Sequence, residues 1–296
     1  MSNLYLLGTR GSLLAITQSQ WVADQIPNAH IQLQIVKTEG DNLSLSLASP
    51  THPGAFVNAL RYELISGSVD FIVHSFKDLP SEPHPGIKLA AVTKREDPRD
   101  VLISYNNVLL MQLDETDIVG TSSPRRQASI SSINPRVQVR PIRGNIDSRI
   151  QKVRNGEYAA AVLAAAGLAR IGRLEEISQY FNLQEFIPAP AQGALAVECR
   201  EGDLNLIELL SQVDDPHTRI ATTAERAILQ GLKAGCDLAL GAFASIEGKE
   251  LTLVAELGGA DGRAGYKHFD SVQIHSLNDL QTALELGLRI ASQLKI

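Results

Sequence analysis

DIVGTSSPRRQAS, residues 117–129, passes from an apolar run through a polar turn into helix-forming sequence. Ile118 and Val119 suit a buried strand. Ser123 suits a helix N-cap, and Pro124 suits the first helical position, where a missing N–H costs nothing. A strand that runs into a capped helix is the repeating unit of an α/β sheet. The theme recurs on both sides. YLLGT (5–9) reads as a strand, and Ser12 caps a helix through Ile26 with Leu14, Trp21 and Val22 among its apolar positions. VDFIVHS (69–75) is a buried strand running into the polar KDLP, and IQLQIVKT (31–38), VQVRPIRG (137–144) and AAAVLAA (159–165) are further strands. GAFVNALRYELISG (54–67) and IDSRIQKVRNG (146–156) carry helical spacing.

A different pattern begins near Asp214. Asp215 suits a cap, Pro216 starts a helix, and Gly235 suits the left-handed position that closes it. GAFASIEG (241–248), ELTLVAELGG (250–259) and HFDSVQIHS (268–276) then read as consecutive strands, and residues 277–294 as a last helix. The expected fold is therefore α/β, two larger lobes followed by a small α+β domain.

Bulk composition narrows the function classes. With 296 residues, 44% hydrophobic and 20% charged, the chain has material for two or three cores. Two cysteines are too few for a disulfide framework, and no Cys/His spacing suggests a metal site. The N-terminal residues lack a basic, apolar signal pattern, and no apolar run is long enough to span a bilayer, so a cytoplasmic protein without a membrane partner is expected. A net charge of -6 argues against a nucleic-acid partner. Yet residues 125–173 hold nine Arg and one Lys against only Asp147 and Glu157, a local surplus of eight positive charges. Guanidinium forks hold carboxylates and phosphates in bidentate fashion.

TRGS (9–12), HSFKDLP (74–80) and GTSSPRRQAS (120–129) all fall at carboxyl ends of expected strands, where open α/β sheets bind ligands and helix N-termini favour anions. Arg10, Lys77, Arg125 and Arg126 make that region an anion trap. Asp78 is the exception, either a salt-bridge partner of Lys77 or an Arg, or a carboxylate that stabilises positive charge on a substrate. His74 reads as structural and Cys199 as packing. Cys236 sits in a Gly-flanked loop where a thiol could meet a ligand; burial as a small hydrophobe is the alternative.

TRGSLLAITQ, VDFIVHSFKDLP, KREDPRDVLIS, VGTSSPRRQ, RGNIDSR, AAGLARIG, PAPAQGALAVECR and TAERAILQGLKAGC, followed by an ALG turn, run in order from residue 9 to about 242. In these motifs the chain resembles the porphobilinogen deaminase (hydroxymethylbilane synthase) family of tetrapyrrole biosynthesis. The resemblance implies two domains like periplasmic binding proteins, residues 1–93 with 194–211 and residues 99–187, and a third domain, 216–296. It implies an enzyme that condenses four porphobilinogens, with loss of ammonia, on a dipyrromethane cofactor bound by thioether to Cys236. The implied catalytic carboxylate is Asp78. Cofactor binding would fall to Lys77, Asp78, Thr121, Ser122, Ser123, Arg125, Arg126 and Gly193. Substrate or the elongating chain would meet Arg10, Ser12, Ser75, Arg143, Gly144, Arg149, Arg170 and Gln192. No metal is implied, and the expected state is a monomer.

Two departures from the family pattern stand out. SPTHPGAFVNALR (49–61) lacks the Gly/Lys-rich stretch and Lys-Glu pair usual around the residue matching Phe56, which puts the cationic contribution of that flap in doubt. Ala239 stands where the cysteine loop often has Pro, which loosens the loop. The rival reading from another class is a non-catalytic, two-lobed anion-binding protein; a degenerate deaminase homologue is a third.

Overall fold

The computed structural model describes residues 4–27, 29–36, 55–233, 238–259 and 265–294. Gly235, Cys236 and residues 49–54 of the atypical segment lie outside them. The chain forms two compact units, residues 1–95 with 194–219 and residues 96–193 with 220–296.

In the first unit, β1 (Leu4–Thr9), α1 (Leu13–Asp24), β2 (His30–Ile35), α2 (Ala55–Ser66), β3 (Phe71–Ser75) and β4 (Ile87–Val92) are joined by a later strand, β10 (Leu195–Arg200), and by α6 (Leu204–Leu210). The sheet order is β2-β1-β3-β10-β4. β1 pairs in parallel with β2 and β3, whereas β10 lies antiparallel between β3 and β4. Alternation along β3 divides the core. Phe71 and Val73 pack on one face with Leu7, Val22 and Leu206, and Ile72 packs on the other with Leu60 and Leu64. Buried on both faces, these strands read as near-continuous apolar runs.

The second unit contains β5 (Asp100–Ser104), β6 (Ile118–Gly120), α3 (Pro124–Ile133), β7 (Gln138–Arg140), α4 (Ile146–Arg154), β8 (Ala160–Ala164), α5 (Ala165–Arg170) and β9 (Gln179–Tyr180). Their order, β7-β6-β8-β5-β9, repeats the plan of the first sheet, with β5 as the antiparallel insertion. Both insertions, β5 and β10, are the first strands formed after the chain leaves the other unit. The same unit ends in α7 (Pro216–Gly231), the antiparallel meander β11 (Leu240–Glu247), β12 (Glu250–Leu257) and β13 (Tyr266–Gln273), and α8 (Leu280–Gln293). Ile220, Ala224, Leu240, Leu253, Leu286 and Ile290 share its separate core. α8 crosses α7 at Gly287, where a Cβ would lie 2.2 Å from the Ala224 carbonyl oxygen.

The expected caps form. Ser12 accepts from the Ala15 N–H at 3.3 Å, Ser123 from Arg126 at 3.4 Å and Asp215 from Thr218 at 2.7 Å. α1 ends at Asp24 rather than Ile26, because the Gln25 and Ile26 N–H groups turn back to Val22 and Ala23, three residues away. No helix among the described residues is long and apolar enough to cross a membrane.

Candidate active site

In the first unit two polar strand ends stand side by side, after β1 and after β3. α1 ties them down from above: Ser19 donates to Thr9 Oγ1 at 2.8 Å, and Gln18 Nε2 donates to Ser75 Oγ at 3.0 Å. Gln18 and Ser19 are buried, so these bonds are shielded from water. Beyond β3 the chain makes a single 3₁₀ turn, Phe76–Asp78. Its three-residue period sets Phe76 and Leu79 inward, 4% and 5% exposed, and leaves Lys77 half-buried and Asp78 exposed. Two apolar anchors thus aim a cation and a carboxylate outward. Arg10 and Ser12, both half-buried, flank the start of α1.

In the second unit the strand end after β6 is built the same way and is far more cationic. Thr121 is buried and accepts from the Ser123 N–H, Ser122 donates to the Ile142 carbonyl at 2.9 Å, and Ser123 caps α3. The first turn of that helix holds Arg125 and Arg126, 5% and 7% exposed. Both reach one fully buried acid, Asp100. Arg125 Nη1 lies 2.7 Å from Oδ2, and Arg126 donates to Oδ1 from Nε at 3.0 Å and from Nη2 at 2.7 Å. Burial lowers the Arg125 pKa despite Asp100, and Arg126 lowers it further.

Two other guanidiniums of this unit have their pKa lowered by burial. Arg149 on α4 donates from Nε to the Gly144 carbonyl at 2.8 Å, and its pKa is pushed down by burial and then by Arg126. Gly144 has φ +115°, and a Cβ there would lie 2.8 Å from that of Ser148, so glycine is required. Arg170, closing α5, donates to the Gly193 carbonyl at 2.5 Å, and burial brings its pKa to about 10. Gln192 is fully buried and donates to the Pro98 carbonyl at 2.7 Å and to Asp100 Oδ1 at 3.1 Å. Gly193 takes φ +96° and Ala191 φ +63°; the buried Glu225 of α7 accepts the Ala191 N–H at 2.6 Å. Arg143 is exposed. Cations neighbouring one another at low exposure, with Asp100 shared between two of them, favour an anionic ligand.

A family model described as "Porphobilinogen deaminase, dipyromethane cofactor binding domain" matches residues 6–208, and one for "Porphobilinogen deaminase, C-terminal domain" matches residues 219–295. The chain belongs to the porphobilinogen deaminase family. It is 43% identical to a porphobilinogen deaminase of Mycobacterium leprae, over 97% of this chain and 93% of that one. It is 42% identical to that of Mycobacterium tuberculosis strain H37Rv, over 97% and 94%. Among solved structures, the probable amino-acid transporter binding protein YtmK of Bacillus subtilis matches 72% of this chain and 90% of its own at 9% identity, with a TM-score of 0.42.

Within each unit, residues singled out from the deaminase motifs come together: Arg10, Ser12, Ser75, Lys77 and Asp78 at the strand ends of the first, and Thr121 to Arg126, Arg149, Arg170, Gln192 and Gly193 in the second. Asp100 escaped the sequence reading because a charged residue opening a strand is ordinarily solvated. The signal for it was DVLIS itself, an acid followed directly by four residues of buried-strand type. Arg61 and Glu198 were missed too. They form a bidentate pair at 3.0 and 2.6 Å beneath β3, with His74 Nε2 3.5 Å from Glu198 Oε2. His74 is buried on β3 and Cys199 on β10, where burial raises the thiol to about 11.

Proposed function

We propose that the chain is a porphobilinogen deaminase that joins four porphobilinogens, each losing ammonia, into linear hydroxymethylbilane. The observation carrying this reading is the buried arginine pair on Asp100 with Arg149 beside it, a charge arrangement suited to the acetate and propionate groups of pyrroles, in a chain whose family model is that of the dipyrromethane-binding domain. Those residues fit the cofactor. Lys77, Thr121, Ser123, Arg125, Arg126 and Gly193 would hold its carboxylates, with Ser122 serving through the turn that its hydroxyl ties to Ile142 and Cys236 as the point of attachment, outside the described residues. When bound, the dipyrromethane supplies the free pyrrole carbon to which new units are added.

The chain's own groups divide the remaining work. As ammonia leaves the substrate's aminomethyl group, positive charge spreads onto its pyrrole nitrogen; Asp78 accepts the N–H and stabilises that charge. The buried Phe76 and Leu79 fix the turn that carries this carboxylate, which supports the assignment. Arg10, Ser12, Ser75, Arg143, Gly144, Arg149, Arg170 and Gln192 would serve the carboxylates of substrate and of the lengthening product. The reading takes the chain as three domains, 1–93 with 194–211, 99–187 and 216–296, a division that the three sheets support. The same reading expects a cytoplasmic monomer.

Intact-mass measurement on the purified chain tests it. Two linked pyrroles on Cys236 are expected, and Asp78→Ala should retain the fold while losing product formation. A thiol that stays unmodified after incubation with porphobilinogen would overturn the assignment, and full turnover by Asp78→Ala would overturn the role of Asp78.

A further inference from the structure

Asp100 lies at the head of β5 with no exposed surface, and it is held there by the backbone. It pairs with Ala164 in the sheet, and its carbonyl accepts the Phe181 N–H at 3.1 Å. Such a carboxylate has little freedom to move. Three side chains converge on it: Arg125, Arg126 and Gln192, each of which the proposed function places at the cofactor or substrate. The other edges of the guanidiniums are fixed by carbonyls, Arg125 by Ile187 at 2.8 Å and Arg126 by Val162 at 2.9 Å. These bonds leave N–H groups to spare on the terminal nitrogens of both. Two guanidiniums in consecutive positions at this depth repel each other. One shared acid lets them coexist while leaving part of their charge for an anion. Glu256, which lines a small cavity with Arg125, is a weaker counter-charge, because burial raises its pKa.

We infer that Asp100 is a positioning residue for the cofactor site: it aims Arg125 and Arg126, and through Gln192 the 188–193 turn, at the carboxylates of the bound dipyrromethane without touching the ligand. The inference rests on the proposed deaminase reading. It assigns the last acid of the KREDPRD stretch to loading of the cofactor rather than to turnover. The three side chains that converge on Asp100 share one kind of use, and the proposal is that its removal acts through them.

The test is cofactor loading of the full-length chain, prepared without a porphobilinogen supply and then exposed to it, with the two-pyrrole adduct followed by intact mass at 25 °C. Wild type, Asp100→Asn, Arg126→Met and the double variant are compared, each with its melting temperature. Folded Asp100→Asn is expected to load about tenfold to a hundredfold more slowly, the scale of a misplaced supporting group. In the Arg126→Met background, Asp100→Asn should slow loading by a smaller factor than it does in wild type, since coupled residues are non-additive, with the remainder passing through Arg125 and Gln192. Effects that multiply would assign Asp100 an independent, merely structural role and overturn the inference, as would wild-type loading by Asp100→Asn. If Asp100→Asn gives no folded protein, Gln192→Leu replaces it: slowed loading at an unchanged melting temperature supports the inference, and unchanged loading overturns it. A wild-type chain that never acquires the adduct refutes the deaminase reading itself, a result separate from either outcome at Asp100.

Discussion

Replacing Glu198 by Gln would break a buried ion pair of the first unit. Arg61 and Glu198 are 5% and 3% exposed and meet through two hydrogen bonds at 3.0 and 2.6 Å. Burial alone would raise the Glu198 carboxyl; His74 and Arg61 outweigh it and bring the pKa to about 2 from the ordinary 4.5. At ~1.36 kcal/mol per pH unit, that depression contributes about 3 kcal/mol once the group is ionised. Stranding a buried partner charge costs about 3–5 kcal/mol, so two routes agree on the scale. The sign follows from the depressed value. The contribution is complete above pH 4.5 and disappears as the pH falls toward 2, as the folded carboxyl takes up its proton. Trp21, the single tryptophan, lies on α1 in the same unit and gives a local fluorescence signal. Urea titrations at pH 7 should place the Glu198→Gln midpoint lower by roughly 1–2 M. The gap should narrow below pH 4.5. A gap under about 0.5 kcal/mol at pH 7, the usual range of an inconsequential surface change, would refute the buried-pair reasoning.

Three other substitutions and reactions follow from the site. Gly241→Ala places a Cβ 2.7 Å from the Ile187 carbonyl oxygen, so β11 or the loop before the 188–193 turn must shift, at about 1–3 kcal/mol; calorimetry that finds an unchanged melting temperature would count against the contact. Gly144→Ala, at φ +115° and 2.8 Å from Ser148 Cβ, should disturb the carbonyl that orients Arg149 and raise the KM for porphobilinogen by about tenfold, with an unchanged KM contradicting that role. Cys199, with its thiol raised to about 11, should resist maleimide at pH 8 in the native chain and react in urea; native labelling at Cys199 would show the strand to be open.

Local order was legible because its causes are local. Ser12, Ser123 and Asp215 announce helix starts through their own side chains, and β3 and β8 announce themselves as apolar runs. Sheet order was not legible in this way. Nothing near Leu195–Arg200 says that this strand inserts between β3 and β4, since its partners lie more than a hundred residues earlier in the chain. The site divides similarly. Cations after strand ends could be read as an anion trap from polarity alone, whereas Asp100 meets Arg126 at a separation of 26 residues and Glu198 meets Arg61 at 137. An acid's value in a core depends on which cation folding brings to it. Ser122 and Thr121 show a subtler limit, because their hydroxyls already serve the turn that presents the arginines.

The place of β10 in the first sheet bears on the order in which the molecule can be made. When residues 1–95 have left the ribosome, β1, β2 and β3 can pair, but β4 has no neighbour until residues 195–200 exist. Until then the open edge of β3 is a template for wrong pairing. The intervening sheet has no such dependence, since all five of its strands lie between residues 100 and 180. The middle of the chain can therefore reach its native form during synthesis before the beginning does, and the edge of β3 stays open until β10 arrives.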